Sequence, residues 1–290
     1  MSSALRALLS GAIDYAGLFP PASLSLDAAM KNYARDVRTD DAWMLSSFVL
    51  PVAKFAEARR FFADFDDEHP LRVSALGPKT KTEAEFLAEL EKMRPADLEG
   101  AQIAQLEMPL PGDFSEQSLR GAREILGDVP AFWETTPADS ERTIALLAQT
   151  NDAASGYKLR TGGVTPEAFP TSAQIATALV ACASTNVPIK FTAGLHHPVR
   201  LFREEVKTKM HGFLNVLGAG VLAREWQWDV AQTTAMLDDE ESASFVIDGD
   251  IFRWREFEIA NIQKQRAFVT SFGSCSFDEP RADLRALHLL

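Results

Sequence analysis

Short apolar segments recur along the chain at a nearly constant interval, with amphipathic stretches between them. They begin near Ala12, Trp43, Leu71, Gln102, Pro130, Ser155, Val187 and Gly212, at spacings of 31, 28, 31, 28, 25, 32 and 25 residues. Each interval is the length of a strand plus the helix that returns the chain to a parallel neighbour. The stretches between them carry the helical period. Leu26, Met30, Tyr33 and Val37 share a face, as do Phe55, Ala58, Phe62 and Phe65, and then Phe86, Leu90 and Met93. Ser25 and Asp139 stand at N-cap positions, and Gly127 stands at a C-cap.

Eight such units are the count that closes an α/β (β/α)8 TIM barrel. An open doubly wound sheet has similar content, but no Gly-rich dinucleotide or phosphate-loop fingerprint opens a helix after any strand. The sequence therefore predicts a barrel over 1–241, with its eighth strand beginning near Gly212. A carboxyl-terminal extension, 242–290, is expected to pack on the barrel without forming an independent domain. The sequence does not say which end of the barrel it reaches.

With 290 residues, 46% hydrophobic and 24% charged, the composition is that of an ordinary globular protein. Lys and Arg number 29 against 41 Asp and Glu, a net charge of −12. That surplus opposes phosphate backbones and anionic bilayers, so neither nucleic acid nor a membrane is an expected partner. A homo-oligomer is compatible with the composition. Cys182 and Cys275 carry no CxxC spacing and read as reduced thiols in a cytoplasmic protein. The amino-terminal stretch lacks a long apolar core, so no export is expected. The uncharged run from Ala168 to Ile189 is interrupted by Pro170 and Pro188 and does not read as a membrane span.

Barrel enzymes place their reactive groups at the carboxyl ends of the strands. Here those ends carry Asp14, Glu107, Glu134, then Lys158 with Arg160, then Lys190 followed by His196 and His197, and Asn215 on the expected eighth strand. Lys158 and Arg160 share one strand parity, and Lys190 and Thr192 share one, so both lysines can point inward. Two neighbouring lysines in a dry site are expected to lower the pKa of at least one, giving an amine that attacks carbonyls. In the alternative arrangement, Glu107 and Glu134 neutralise both lysines in an inert ion-pair layer. The residues leave both readings open.

The stretches SGYKLRTGGVTPEAFPTSAQIATALV and VPIKFTAGLHHPVR resemble the strand-six-to-strand-seven region of class I deoxyribose-phosphate aldolases. That family has a Lys followed by Thr-Gly, then a second Lys followed by small residues and Gly-Gly. Lys158, Thr161 and Gly162 match the first pattern; Lys190, Ala193 and Gly194 match the second with one Gly replaced. Asp14, the segment Ser47 to Pro51 and Glu134-Thr135 give weaker echoes, so the resemblance covers about residues 10–220.

The resemblance implies Lys158 as the Schiff-base nucleophile, Lys190 as the group depressing its pKa, and Asp14 in a proton relay. Glu107 replaces the family's strand-four Asp, and Glu134 lies near Lys190. The family's Gly-x-Ser-Ser phosphate turn is missing, with Gly218-Ala219-Gly220 following Asn215 instead. A substrate phosphate is then either absent or gripped by Arg160, Gly162, Gly163 and His196. Thr161, Gly194, His197 and Asn215 complete the expected substrate-binding set.

The expected function is a Schiff-base carbon–carbon lyase acting on a small aldehyde, ketone or sugar-like substrate, with no cofactor and no metal. Two alternatives remain. One is a divalent-metal sugar isomerase or epimerase using His196, His197, His211, Glu107 and Glu134. The other is a non-catalytic small-molecule-binding barrel. His69 and His288 receive no role, and Trp226, Trp228 and Trp254 read as packing residues.

Overall fold

A computed structural model of the chain describes residues 2–93 and 101–290. In chain order the strands are β1 (Ile13–Tyr15), β2 (Leu45–Pro51), β3 (Arg72–Leu76), β4 (Gln102–Pro109), β5 (Ala131–Glu134), β6 (Ser155–Arg160) and β7 (Ile189–Thr192), then β8 (Leu201–Arg203), β9 (Thr208–Met210), β10 (Phe245–Asp248), β11 (Ile251–Trp254), β12 (Phe257–Ile259) and β13 (Val269–Ser274). The helices are α1 (Ser3–Leu9), α2 (Leu26–Asp36), α3 (Phe55–Ala58), α4 (Glu83–Lys92), α5 (Glu116–Leu126), α6 (Ser140–Thr150), α7 (Ser172–Thr185), α8 (Phe213–Trp226), α9 (Val230–Leu237), α10 (Ile262–Arg266) and α11 (Asp278–Ala286).

Among the described residues, eight parallel strands close into a barrel in the order β1-β13-β7-β6-β5-β4-β3-β2. Parallel strands covered by helices are apolar on both faces, and this explains why FVL in β2 and AFW in β5 are continuously buried. Ser25 caps α2 by accepting the Ala28 N–H, and Gly127 ends α5 at φ +60°. Asp139 precedes α6, but its carboxylate accepts from Thr136 Oγ1 rather than from the helix backbone. The face Phe55 to Phe65 is a single α-helical turn followed by a 3-10 stretch, Arg59–Asp64.

The eighth strand is not where the sequence predicts it. Gly212 is the N-cap of α8, and the residues from Phe213 to Ala223 are buried on every side. A segment apolar all round shows neither period, so periodicity cannot separate a buried helix from a buried strand. Two glycines let α8 lie close to its neighbours. A Cβ on Gly218 would stand 2.4 Å from Phe252 in β11, and one on Gly220 would stand 2.4 Å from Val269 in β13.

The strand that closes the barrel is β13. It pairs with β1 through Ile13 opposite Phe272 and Asp14 opposite Gly273, and with β7 through Ile189 opposite Val269. The expected division at residue 241 is corrected accordingly, because the segment beyond it supplies a barrel strand. The inserted residues between β7 and β13 form the β8–β9 hairpin, α8, α9, the antiparallel β10–β12 sheet and α10. Trp228, Trp254 and Phe257 pack edge-to-face and stacked in this insertion, with centroids 4.9–6.3 Å apart. No helix among the described residues is long and apolar enough to cross a membrane.

Candidate active site

Side chains of one parity on each barrel strand point inward, and strand register stacks them in layers. One layer is ionic. Lys158 on β6 stands in register with Glu134 on β5 and with Lys190 on β7. Lys158 Nζ lies 2.7 Å from Glu107 Oε2 and 2.9 Å from Glu134 Oε2. Lys190 Nζ bonds the other Glu107 oxygen and lies 2.8 Å from Asp14 Oδ2. Arg160 Nε reaches Glu134 Oε1 at 3.2 Å. Charges therefore alternate in sign across the barrel from Asp14 through Lys190, Glu107, Lys158 and Glu134 to Arg160.

The remaining carboxylate lone pairs are filled from neighbouring strands. Ser74 Oγ donates to Glu107, while Ser47, Ser271 and Gln105 donate to Asp14. Such filling is what makes a buried charge tolerable. Lys190 Nζ also lies 5.5 Å from the centroid of the Phe132 ring.

Burial alone would lower the Lys158 pKa, but Glu107 and Glu134 outweigh it and raise it. Burial alone would raise Glu107, but Lys158 and Lys190 outweigh it and hold the carboxyl well below the usual carboxylate range. Glu134 is lowered in the same way, by Lys158 and then Arg160 working against burial. The expectation that the lysine pair depresses the Lys158 amine is corrected here. Glu107 separates the two ammonium groups, so attraction to carboxylates exceeds repulsion between lysines.

Above the ionic layer, at the carboxyl ends of the strands, is a cavity of about 250 Å³. Lys158, Glu107, Glu134, Arg160, Gly163 and His196 line it. Lys190 and Asp14 lie outside its lining and are 1% and 0% exposed. Ala193 and Gly194 both adopt left-handed backbone, at φ +61° and +75°, and turn the chain sharply out of β7. Gly194 then meets Gly162 backbone to backbone, where a Cβ on either would be closer than 3 Å to the other. Thr161 is buried and donates to the Ala193 carbonyl at 2.6 Å. These three residues hold the strand ends together beside the cavity.

His196 lines the cavity, with Nδ1 2.9 Å from Glu279 Oε2 on α11 and 3.9 Å from Cys275 Sγ. Burial lowers the His196 pKa, but Cys275 and Glu279 together outweigh it and raise it to about 9. His197 turns away from the cavity to Asp283 Oδ2 at 2.6 Å. Glu279 and Asp283 are one helical turn apart, so α11 holds both histidines from one face. His211 is buried with its Nε2 2.8 Å from the Pro170 carbonyl. Among the described residues no group of three or more His, Cys, Asp or Glu side chains is arranged to hold a metal ion.

Asn215 does not stand at a strand end. It is buried on α8, where it accepts from the Arg200 N–H and donates to the Met236 and Asp239 carbonyls. It clamps loops of the insertion. Sequence reasoning assigned no site role to Ser47, Ser74, Gln105 and Ser271; Gln105 shares the parity of Glu107 on β4, but the three serines lie on strands that carry no acidic site residue. It also passed over Cys275 and Glu279, which reach the site only because β13 is a barrel strand.

No protein-family profile matches this chain, and no curated protein does. Among solved structures, the fold is similar to one described as QR15, an aldolase, with a TM-score of 0.54 and 9% identity. The match covers 97% of this chain and 97% of that one. At that identity the likeness is one of fold.

Proposed function

We propose that the protein is a Schiff-base carbon–carbon lyase in which Lys158 forms the imine, a divergent relative of the class I deoxyribose-phosphate aldolases. The observation that carries this reading is the position of Lys158 Nζ. It lies in the floor of the cavity between two carboxylates that accept its protons, at 2.7 and 2.9 Å.

The resting amine is an ammonium ion and must lose a proton before it can attack. Glu134 takes that proton. Its side chain is 14% exposed against 2% for Glu107, so protonating it costs less of the ion-pair network. The free amine adds to the carbonyl carbon, giving a carbinolamine. The proton on Glu134 then passes to the carbinolamine hydroxyl, which leaves as water, and the protonated imine remains. One positive charge stands at Nζ before and after the sequence, so the carboxylates that hold the ammonium also hold the iminium.

Cleavage follows by loss of the substrate's β-hydroxyl proton to Glu134. The Cα–Cβ bonding pair moves into the iminium as the aldehyde departs, leaving an enamine that is protonated at Cα and hydrolysed. Glu107, bonded by both lysines and Ser74, serves as the fixed counter-charge. Lys190 and Asp14, below the cavity, position Glu107 and do not touch the substrate.

Borohydride reduction in the presence of a carbonyl panel tests the assignment. An adduct is expected on the Lys158 peptide by mass spectrometry and is expected to vanish in Lys158→Met. An adduct on another residue, or none with any carbonyl, would remove Lys158 from this role.

A further inference from the structure

The layer of side chains immediately above the ionic network is divided into two halves. Alternation fixes its members, because each lies two residues beyond an inward polar residue of the layer below. Ala16 follows Asp14 at the end of β1, Val49 follows Ser47 on β2, and Leu76 follows Ser74 on β3. Arg160 follows Lys158 on β6, and Thr192 follows Lys190 on β7. All five line the cavity. In the ring, β1, β2 and β3 are consecutive, and β6 stands opposite β2. One arc of the wall is therefore wholly apolar. Phe19, from the loop after β1, extends it toward the mouth. Lys158 faces this arc from the opposite, polar side, flanked by Arg160 and His196.

From this division we infer that the substrate is an aliphatic carbonyl compound whose hydrocarbon chain lies against Val49, Leu76 and Phe19, rather than a polyhydroxylated sugar. This rests on the reading of Lys158 as the imine-forming residue. A carbonyl carbon at Lys158 has two substituents in a cavity of about 250 Å³, the volume of about eight waters. One substituent must meet the β1–β3 arc. A hydroxylated carbon there would give up its water and find no hydrogen-bond partner among Ala16, Val49 and Leu76 side chains. A methylene there gains roughly fourfold in binding for each carbon buried. Arg160, bonded to Glu134 through Nε, faces the substrate's polar end.

The test compares carbonyls of equal length. Butanal and butanone form the aliphatic arm; erythrose and erythrulose, also of four carbons, form the hydroxylated arm. Each is trapped on the wild-type protein by borohydride at several concentrations. At least tenfold tighter half-saturation is expected for the aliphatic arm. Val49→Thr keeps the side-chain shape and replaces one methyl by a hydroxyl, and it should narrow that preference severalfold, with circular dichroism checking that the fold is kept. Leu76→Thr should act in the same direction. Equal trapping of both arms would overturn the inference while the imine reading stands. If no adduct forms in either arm, the imine reading fails, and saturation-transfer NMR with the same compounds decides the inference separately. Transfer to the aliphatic arm alone, weakened by Val49→Thr, supports it; equal transfer or none overturns it.

Discussion

Lys158 and Lys190 are register partners on adjacent strands, yet their ammonium groups are bonded to opposite oxygens of one carboxylate, Glu107. A pair that repels on a list of strand ends becomes part of an alternating chain of charge once that carboxylate is placed between its members. The network is neutral in sum, and it fixes Lys158 Nζ at the floor of the cavity.

Glu107→Gln should be the most damaging single change in the ionic layer. It leaves two buried ammonium groups with one fewer counter-charge, and breaking a buried pair typically costs about 3–5 kcal/mol. Urea denaturation at pH 7 measures this. A loss below about 1 kcal/mol would mean that the two lysines do not depend on Glu107.

The rate of imine trapping should be nearly independent of pH between 6 and 9 in the wild-type protein. On the proposed route the proton leaving Lys158 passes to Glu134 inside the site, so solvent proton activity does not enter. In Glu134→Gln the proton must go to water, so the rate should rise with pH wherever Lys158, still paired with Glu107, carries its proton. A wild-type rate that climbs as steeply as the variant's would exclude Glu134 as the acceptor.

Stability should respond to pH at both ends of the scale. Glu107 and Glu134 are lowered on folding, so their contribution is present above the ordinary carboxylate value, about 4.3, and fades as pH falls through their lowered folded values. Lys158 is raised, so its contribution is present below about 10.4 and is lost as pH rises through its folded value. Lys158→Met should reduce the alkaline loss, to which the buried Tyr33 and Tyr157 also contribute, and weaken the acid one, as read by thermal melts from pH 3 to 11.

His196 adds a slope inside that range. Its folded value of about 9 lies above the ordinary 6.5, so its contribution is complete below 6.5 and lost as pH rises through 9. Glu279 is 40% exposed, and solvent screening holds its share of the effect to about 1 kcal/mol or less. Glu279→Gln should flatten the decline in melting temperature between pH 6.5 and 9. A decline that persists unchanged would break the link between β7 and α11.

The two thiols should differ in reactivity. Cys275 lines the cavity beside His196, whereas Cys182 is fully buried and its thiol is pushed well up by burial. Native-state labelling with N-ethylmaleimide should modify Cys275 at least tenfold faster than Cys182 and should block trapping at Lys158. Peptide mapping after timed quenching distinguishes the two sites.

The strand ends were legible in the chain itself. Asp14, Glu107, Glu134, Lys158 and Lys190 are charged residues set into short apolar segments at regular intervals, and the period of two places them on the inner face. The strand near Gly212 misled because α8 is buried all round and carries no period to read. The same misreading hid β13, and with it Cys275 and Glu279. The Asn215 side chain, placed at a strand end by that reading, belongs to the scaffold of the insertion.

What the sequence by itself determined is the architecture's repeat and the inventory of charge at one end of it, because both follow from hydrophobic periodicity and strand alternation. The tertiary structure alone decided which strand closes the ring and which way the Lys158 pKa moves. Closure depends on a pairing between residues far apart in the chain, Asp14 with Gly273. The sign of the shift depends on a few ångströms between Lys158, Glu107 and Lys190, since Coulomb energy follows distance in space and not spacing in sequence.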